Sequence, residues 1–441
     1  MRVVVLGAGV TGEAFAAALR RHSPDAEIVV VEQELVGGEC SYWACIPSKT
    51  LLRPLEVLAR AKRAPGAAEA VSAVDAARVF RWRDEVAEKD DTSQVEWLGK
   101  QGAELVRGTG AVAEPGLVRV DGRELRYDHL LVATGSLPVA PPVEGLAEAN
   151  HWGSREATSA SAVPASVAVV GGGAVGCELA QLYSRLGARV TLVQNGPNLL
   201  PRNDPEAAAI LAEAFEEEGI ELRLGAKATR VEGADSNFRL ELEGEAPVEA
   251  ERLLVATGRK PHVDGFGLEQ LDVSIEKKGI VVDERLCAGE GVWAAGDVTG
   301  VALFTHVGKY QGRIAAANVA GLDARADYRA IPAAVFTDPQ VASVGDTSGE
   351  GAVTSSWKLE SVSRTSTFQK PKRPGILKLY ADPERRVLVG ATAVGPEAGE
   401  WIGQLTLAVR AQVSVDVLRD TIQPFPTFSE AVYFAARDLE L

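Results

Sequence analysis

An α/β protein with two parallel-sheet units is the fold this chain predicts, and two repeated patterns carry that reading. The first is an apolar strand, a glycine-rich turn and a helix, in "RVVVLGAGVTGEAFAAALRR" from Arg2 and again in "SVAVVGGGAVGCELAQLYSRLG" from Ser166. The second is a matched pair of strand-to-turn segments, "LLVATGSLP" (130–138) and "LLVATGRKP" (253–261).

In the first copy the strand over Val3–Leu6 leads into Gly7, Gly9 and Gly12, and the following strand, "EIVVVE", ends at Glu32. Strand, G-x-G-x-x-G, helix, strand and terminal acid form the full Rossmann-like dinucleotide-binding fingerprint. Gly7 serves the tight turn, Gly9 lets a pyrophosphate approach the backbone, and Gly12 lets helix and strand pack closely. The helix start offers N–H groups to phosphates, and Glu32 can accept from ribose hydroxyls. The second copy supplies Gly171, Gly173 and Gly176, but its second strand ends at Gln194. Gln194 neither binds ribose as strongly as a carboxylate nor repels a 2′-phosphate. Asn195 adds no cation and Arg202 is the nearest downstream one, so the choice between NAD and NADP stays open. The two ATG segments are expected to close one unit each by returning the chain past its ligand, which makes Thr134, Gly135 and Gly258 cofactor-binding candidates. Two such units imply two dinucleotides, and the usual reason to hold both is hydride transfer from nicotinamide to flavin.

The bulk properties narrow the function classes. The 441 residues carry a formal charge of −15, with 46% hydrophobic and 24% charged residues, an ordinary globular composition. That acidity, without a basic stripe, argues against nucleic acid as a partner. The apolar run opening "MRVVVLGAG" is too short for a signal peptide, no later run is long enough to span a bilayer, and a cytoplasmic location is expected. Cys40 and Cys45 stand close together in "GGECSYWACIPSK", while Cys177 and Cys287 are isolated. In a reducing compartment a close pair is more often catalytic or metal-binding than structural. Neither a second Cys pair nor a His cluster lies nearby to complete a metal site, so no metal is expected and redox chemistry leads. Residues five apart on an ideal helix point about 140° away from each other, so a Cys40–Cys45 bridge would need a distorted first turn.

Taken in order, these motifs resemble the flavoprotein disulfide reductases, the group containing dihydrolipoamide dehydrogenase, glutathione reductase and mercuric reductase. "VWAAGDVTG" (292–300) looks like the segment whose acid, here Asp297, bonds the FAD ribityl chain, and "VFTDPQVASVG" (335–345) resembles the start of the C-terminal dimerisation domain. The resemblance implies FAD on the first unit, aided by Gly38, NAD(P)H on the second, and a homodimer whose partner completes the active site. It also implies a Cys40–Cys45 redox disulfide with Cys45 facing the flavin and Cys40 exchanging with substrate. Lys49 and Glu178 are implied to pair beside the flavin and nicotinamide. The domain division expected is FAD-binding over 1–150 and 265–328, NAD(P)-binding over 151–264, and an α+β dimerisation domain over 329–441. Residues 141–166 read as a linker and 61–80 as a surface helical excursion.

Two departures from the family pattern stand out. Glu39 sits where a hydroxyl residue is usual, and a carboxylate beside Cys40 would raise its pKa where the two side chains are close. Phe425-Pro426 replaces a His-Pro pair whose His is the acid–base for the exchange thiol, although the accompanying acid remains as Glu430. Mercuric reductases also place an aromatic residue near that position, but they add a C-terminal cysteine pair, and this chain ends "RDLEL". The leading expectation is an NAD(P)H-dependent FAD oxidoreductase with a redox disulfide and a small-molecule electron acceptor. Its alternatives are a reductase of quinones, other electron acceptors or metal ions, and a non-catalytic flavin-binding sensor or scaffold.

Overall fold

The computed structural model describes residues 1–233, 235–370 and 373–441. Its residues form two compact units, Met1–Pro47 with Asp84–Val139 and Arg259–Asp327, and Ser48–Arg83 with Ala140–Gly258 and Tyr328–Leu441.

The first unit is built on a six-stranded sheet in the order Cys287–Gly289, Val292–Ala294, His129–Val132, Arg2–Leu6, Glu27–Glu32, Ala103–Arg107. All its pairings are parallel except the outermost, between Cys287–Gly289 and Val292–Ala294. The central strands read as continuous apolar runs because both faces are covered: Val3, Val4 and Val5 are fully buried. The helices Val10–His22 and Thr305–Val319 cross closely, since glycines on the second replace side chains at the crossing. A Cβ on Gly312 would lie 2.7 Å from the Thr11 carbonyl oxygen. That approach fixes the start of the second helix, at Thr305, on the same unit as the first glycine turn.

The second unit repeats the nucleotide-binding pattern in a four-stranded parallel sheet, ordered Glu221–Leu224, Arg189–Gln194, Ser166–Val170, Arg252–Val255. It also contains a five-stranded antiparallel sheet, Pro332–Val335, Gln340–Gly345, Val387–Gly395, Ile376–Asp382, Val353–Lys358. The helices Ala398–Arg410 and Glu430–Arg437 share that sheet's apolar cluster through Leu405, Ala431 and Ala435. The α/β fold class expected from sequence is therefore the one observed.

Two expectations need correction. Residues 141–166 are not a bare linker: Trp152 bonds both Leu253 and Val255 through the backbone, and Ser154–Ser159 is helical. The segment 61–80 is exposed or half-buried up to Arg78, as a surface excursion should be, but it is not one helix. A helix ends at Lys62 and another begins only at Ala76, and Val79 and Phe80 are buried in the cluster that holds Val169 and Tyr183. Their apolar side chains, spaced among alanines, pack inward rather than facing water.

Candidate functional site

The two glycine turns are near copies of each other. A Cβ on Gly12 would stand 2.1 Å from the Gly7 carbonyl oxygen, and one on Gly176 would stand 1.8 Å from that of Gly171. Only glycine permits these approaches. Gly9 and Gly173, by contrast, face open space, with nothing within 4 Å of a would-be Cβ. Each is the N-cap of its helix, and neither helix start is capped by a side chain. An open cradle bounded by uncapped helix N–H groups suits a pyrophosphate, so both turns fit a dinucleotide. Glu32 accepts from the Ala8 and Glu34 N–H groups at 2.8 Å each. Gln194 accepts from the Gly172 N–H at 2.8 Å. The last residue of each second strand is thus tied to the turn it faces, acid in one unit and amide in the other. Gly37 bridges to Gly9, and a Cβ on Gly38 would come within 3.0 Å of the Gly9 Cα, which places Gly38 against the first cradle. Thr134 donates to the His262 carbonyl at 2.5 Å; Gly135 and Gly258 both adopt positive φ and face open space.

Cys40 lies in the short helix Gly38–Tyr42 and Cys45 opens the helix Cys45–Lys62. The chain between them is not one continuous helix, because the first helix ends at Trp43. This break removes the opposed orientation an unbroken helix would impose. Both cysteines are half-buried. One hydroxyl touches both: Thr305 donates to Cys40 Sγ at 3.1 Å, and its Oγ1 lies 3.3 Å from Cys45 Sγ. The Cys45 sulfur, through a hydrogen bond, and burial push the Cys40 thiol far up, against the lowering pull of Thr305 and Lys309.

Glu39 precedes Cys40 on the same short helix. Its carboxylate is bound by the Arg259 guanidinium. Arg259 also donates to the Ser136 hydroxyl at 2.8 Å, and that hydroxyl donates to Asp297 at 2.6 Å. The four residues form one chain in the first unit, held by the antiparallel pairing of Ser136–Pro138 with Arg259–Pro261. Burial raises the Asp297 carboxyl above its ordinary range, with Ser136 and Arg259 opposing.

In the second unit Lys49 Nζ donates to Glu178 Oε2 at 2.7 Å, and the Phe336 N–H donates to Glu178 Oε1 at 3.0 Å. Phe336 also places its ring 4.8 Å from the Lys49 ammonium. The turn after Phe336 is locked to the same helix, because Gln181 bonds both the N–H and the carbonyl of Asp338. Asp338 in turn receives Arg63 at 2.6 Å and Arg185 at 2.9 Å. Burial works against its charge, but the two guanidinium groups win and hold the carboxyl below its ordinary value.

Glu430 begins the helix Glu430–Arg437 and accepts from the Thr427 N–H at 3.4 Å. Phe425 is 73% exposed. Both belong to the second unit, whereas Cys40 and Cys45 belong to the first. His306 stacks on Phe304, ring centroids 5.2 Å apart, a packing role. No cluster of potential metal ligands occurs among the described residues, and none of their helices is long and apolar enough to cross a membrane. Thr305, Ser136, Arg259 and Phe336 were not marked as site residues by sequence. Arg259 directly follows the Gly258 turn, and Thr305 opens the "THVGKYQG" run beside His306, but neither residue type signals a role without its spatial partners.

Two open dinucleotide cradles and a close cysteine pair on one chain define a flavin-type oxidoreductase. The chain belongs to the pyridine nucleotide-disulphide oxidoreductase family, which residues 1–324 match, and residues 331–436 match that family's dimerisation domain. It is 35% identical to dihydrolipoyl dehydrogenase 2 of Haloarcula marismortui, covering 98% of this chain and 95% of that protein. It is 33% identical to mercuric reductase of Staphylococcus aureus, over 98% of this chain and 81% of that one. The solved structure of LpdA from Mycobacterium tuberculosis superimposes with a TM-score of 0.89 at 27% identity, covering 99% of each chain. The family uses FAD and NAD(P)H, and the protein is an FAD-dependent pyridine nucleotide oxidoreductase.

Proposed function

We propose that Cys40 and Cys45 are the redox pair through which this oxidoreductase passes electrons from NAD(P)H to its acceptor. The observation that supports this most is the shared Thr305 hydroxyl, which holds the two sulfurs at one point. FAD, when bound, supplies the two-electron relay between nicotinamide and sulfur. In balance, NAD(P)H and the disulfide give NAD(P)⁺, one thiol and one thiolate; the S–S bond breaks and no further reductant is needed.

The chain's own residues then have distinct tasks. Gly7, Gly9, Gly12 and Glu32 bind FAD with Gly38, Thr134, Gly135 and Asp297, while Gly171, Gly173, Gly176, Gln194 and Gly258 bind NAD(P)H. Lys49 would supply a cation to the flavin and nicotinamide, and Glu178 holds that cation in position and offsets the cost of its burial. These assignments go with a division into FAD-binding (1–150, 265–328), NAD(P)-binding (151–264) and dimerisation (329–441) regions. In a homodimer Glu430 and Phe425 reach the partner's cysteines. A cytoplasmic location accords with a thiol pair that cycles under reducing conditions.

Phe425 shapes the choice of acceptor. Dithiol–disulfide exchange needs a proton accepted from one thiol and delivered to another, and a phenyl ring does neither. The favoured acceptors therefore take electrons without a thiol leaving group to protonate, as quinones and metal ions do. Steady-state turnover with NADH and NADPH against small disulfides, quinones and metal ions tests this. Rates with quinone or metal ion should exceed those with glutathione disulfide or lipoamide by about 10²-fold or more. Efficient turnover of a small disulfide would defeat the acceptor assignment.

A further inference from the structure

The sequence leaves open which nicotinamide dinucleotide the second unit takes, and the side chain ending its second strand bears on the choice. In the first unit Glu32 accepts at both carboxylate oxygens, from the Ala8 N–H and from the Glu34 N–H two residues on, each at 2.8 Å. A group that accepts at both ends suits ribose hydroxyls, which donate. Gln194 holds the same place in the second unit but has two unlike ends. The Gly172 N–H is a donor, so the atom facing it at 2.8 Å is the amide oxygen. The nitrogen is thereby turned the other way. It bonds nothing among the described residues, and its two N–H donors remain for a ligand. Gly196, two residues on, keeps that nitrogen uncovered, since a Cβ there would lie 3.1 Å from Gln194 Nε2.

The charges beyond the strand end point the same way. The Leu200 N–H donates to the Gly172 carbonyl at 2.7 Å, which draws this loop against the glycine that Gln194 faces. Two residues on stands Arg202, exposed and without an ion-pair partner among the described residues. The first acid after Gln194 is Asp204, and it is already occupied. Buried at the start of the helix Pro205–Glu217, it accepts from the Glu206 N–H at 2.9 Å, Lys378 at 2.8 Å and Tyr380 at 2.6 Å. The loop 195–203 thus carries a cation and no carboxylate.

We infer that Gln194 selects NADPH over NADH, its amide nitrogen and the Arg202 guanidinium together receiving the 2′-phosphate of the adenosine ribose. A carboxylate at this position would reject that phosphate by like charge. An amide donates to phosphate oxygens without the repulsion, and a guanidinium adds a charge-assisted bond. NADH has only a hydroxyl there, so Arg202 gains no anion from it. The inference rests on the reading of the second unit as the nicotinamide dinucleotide site, and no part of it depends on the cysteines.

The test is anaerobic rapid mixing of the holoenzyme with NADH and with NADPH, following flavin absorbance and taking the ratio of the two second-order rate constants. Wild type should favour NADPH by at least about tenfold. Gln194→Glu should reverse the order, lowering the NADPH constant by at least about tenfold, and Arg202→Ala should cut the wild-type ratio by about tenfold. Where a variant fails to fold, calorimetry on wild type reads the same site: adenosine 2′,5′-bisphosphate should bind at least about tenfold more tightly than 5′-AMP. Equal use of the two nucleotides, a preference for NADH, or an unchanged ratio in Gln194→Glu would overturn the inference. A wild-type flavin that neither nucleotide reduces would instead overturn the assignment of the second unit beneath it.

Discussion

In the proposed function Phe425 is the residue on which acceptor choice turns, and its exposure leaves room for a polar ring. Phe425→His should raise turnover of a small disulfide at least tenfold, within the 10²–10⁴ that a positioned acid–base supplies. It should also introduce a pH dependence near the imidazole range, while quinone turnover stays within about twofold. Parallel assays of both acceptors across pH decide it. Glu32 is a second single-residue test. Its carboxylate bonds the Ala8 and Glu34 N–H groups, and a hydrogen bond to a charged group is worth about 1.5–3 kcal/mol. Glu32→Ala should therefore weaken FAD retention by about tenfold or more, read as the flavin-to-protein absorbance ratio, with NAD(P)H binding unaffected.

The glycine turns were fully legible as elements. Periodic strands, G-x-G-x-x-G and the residue at the end of the second strand sit close in sequence, and local geometry gives each glycine its role. Gly176→Ala should force its Cβ onto the Gly171 carbonyl, 1.8 Å away, and displace the second turn. Rapid-mixing reduction should then need at least about tenfold more NAD(P)H for the same rate, as expected for a loss of about 1.4 kcal/mol, while FAD content holds. What sequence did not reveal was long-range. Thr305 meets the cysteines from a helix more than two hundred positions later, and Arg259 reaches Glu39 across a similar separation. The Glu39 ion pair is of this kind: the carboxylate was visible beside Cys40, but the Arg259 guanidinium that binds it was not. The Ala61–Phe80 segment proved helical only in part, because alanine content favours helix without marking where it stops.

For the molecule as a whole, the buried Asp338 cluster ties the helix Cys45–Lys62 and the helix Ala174–Leu186 to the turn after Phe336 within the second unit. Its carboxyl is held below its unfolded value. The stability it contributes is therefore complete above the ordinary aspartate range near pH ~4 and is lost as pH falls through the lower folded value. Asp338→Asn should cost about 3 kcal/mol near neutrality, because two guanidinium groups lose their shared partner. It should also flatten the acid limb of a plot of urea midpoint against pH; an unaltered limb would remove Asp338 from the account. The central claim, that one flavin and one cysteine pair share the electrons, is tested most directly by anaerobic reductive titration. Wild type should accept four electrons per chain, with thiolate-to-flavin charge-transfer absorbance at the two-electron stage, and Cys45→Ser should accept two and lose that band. A wild type that saturates at two electrons, with no charge-transfer band, would contradict it.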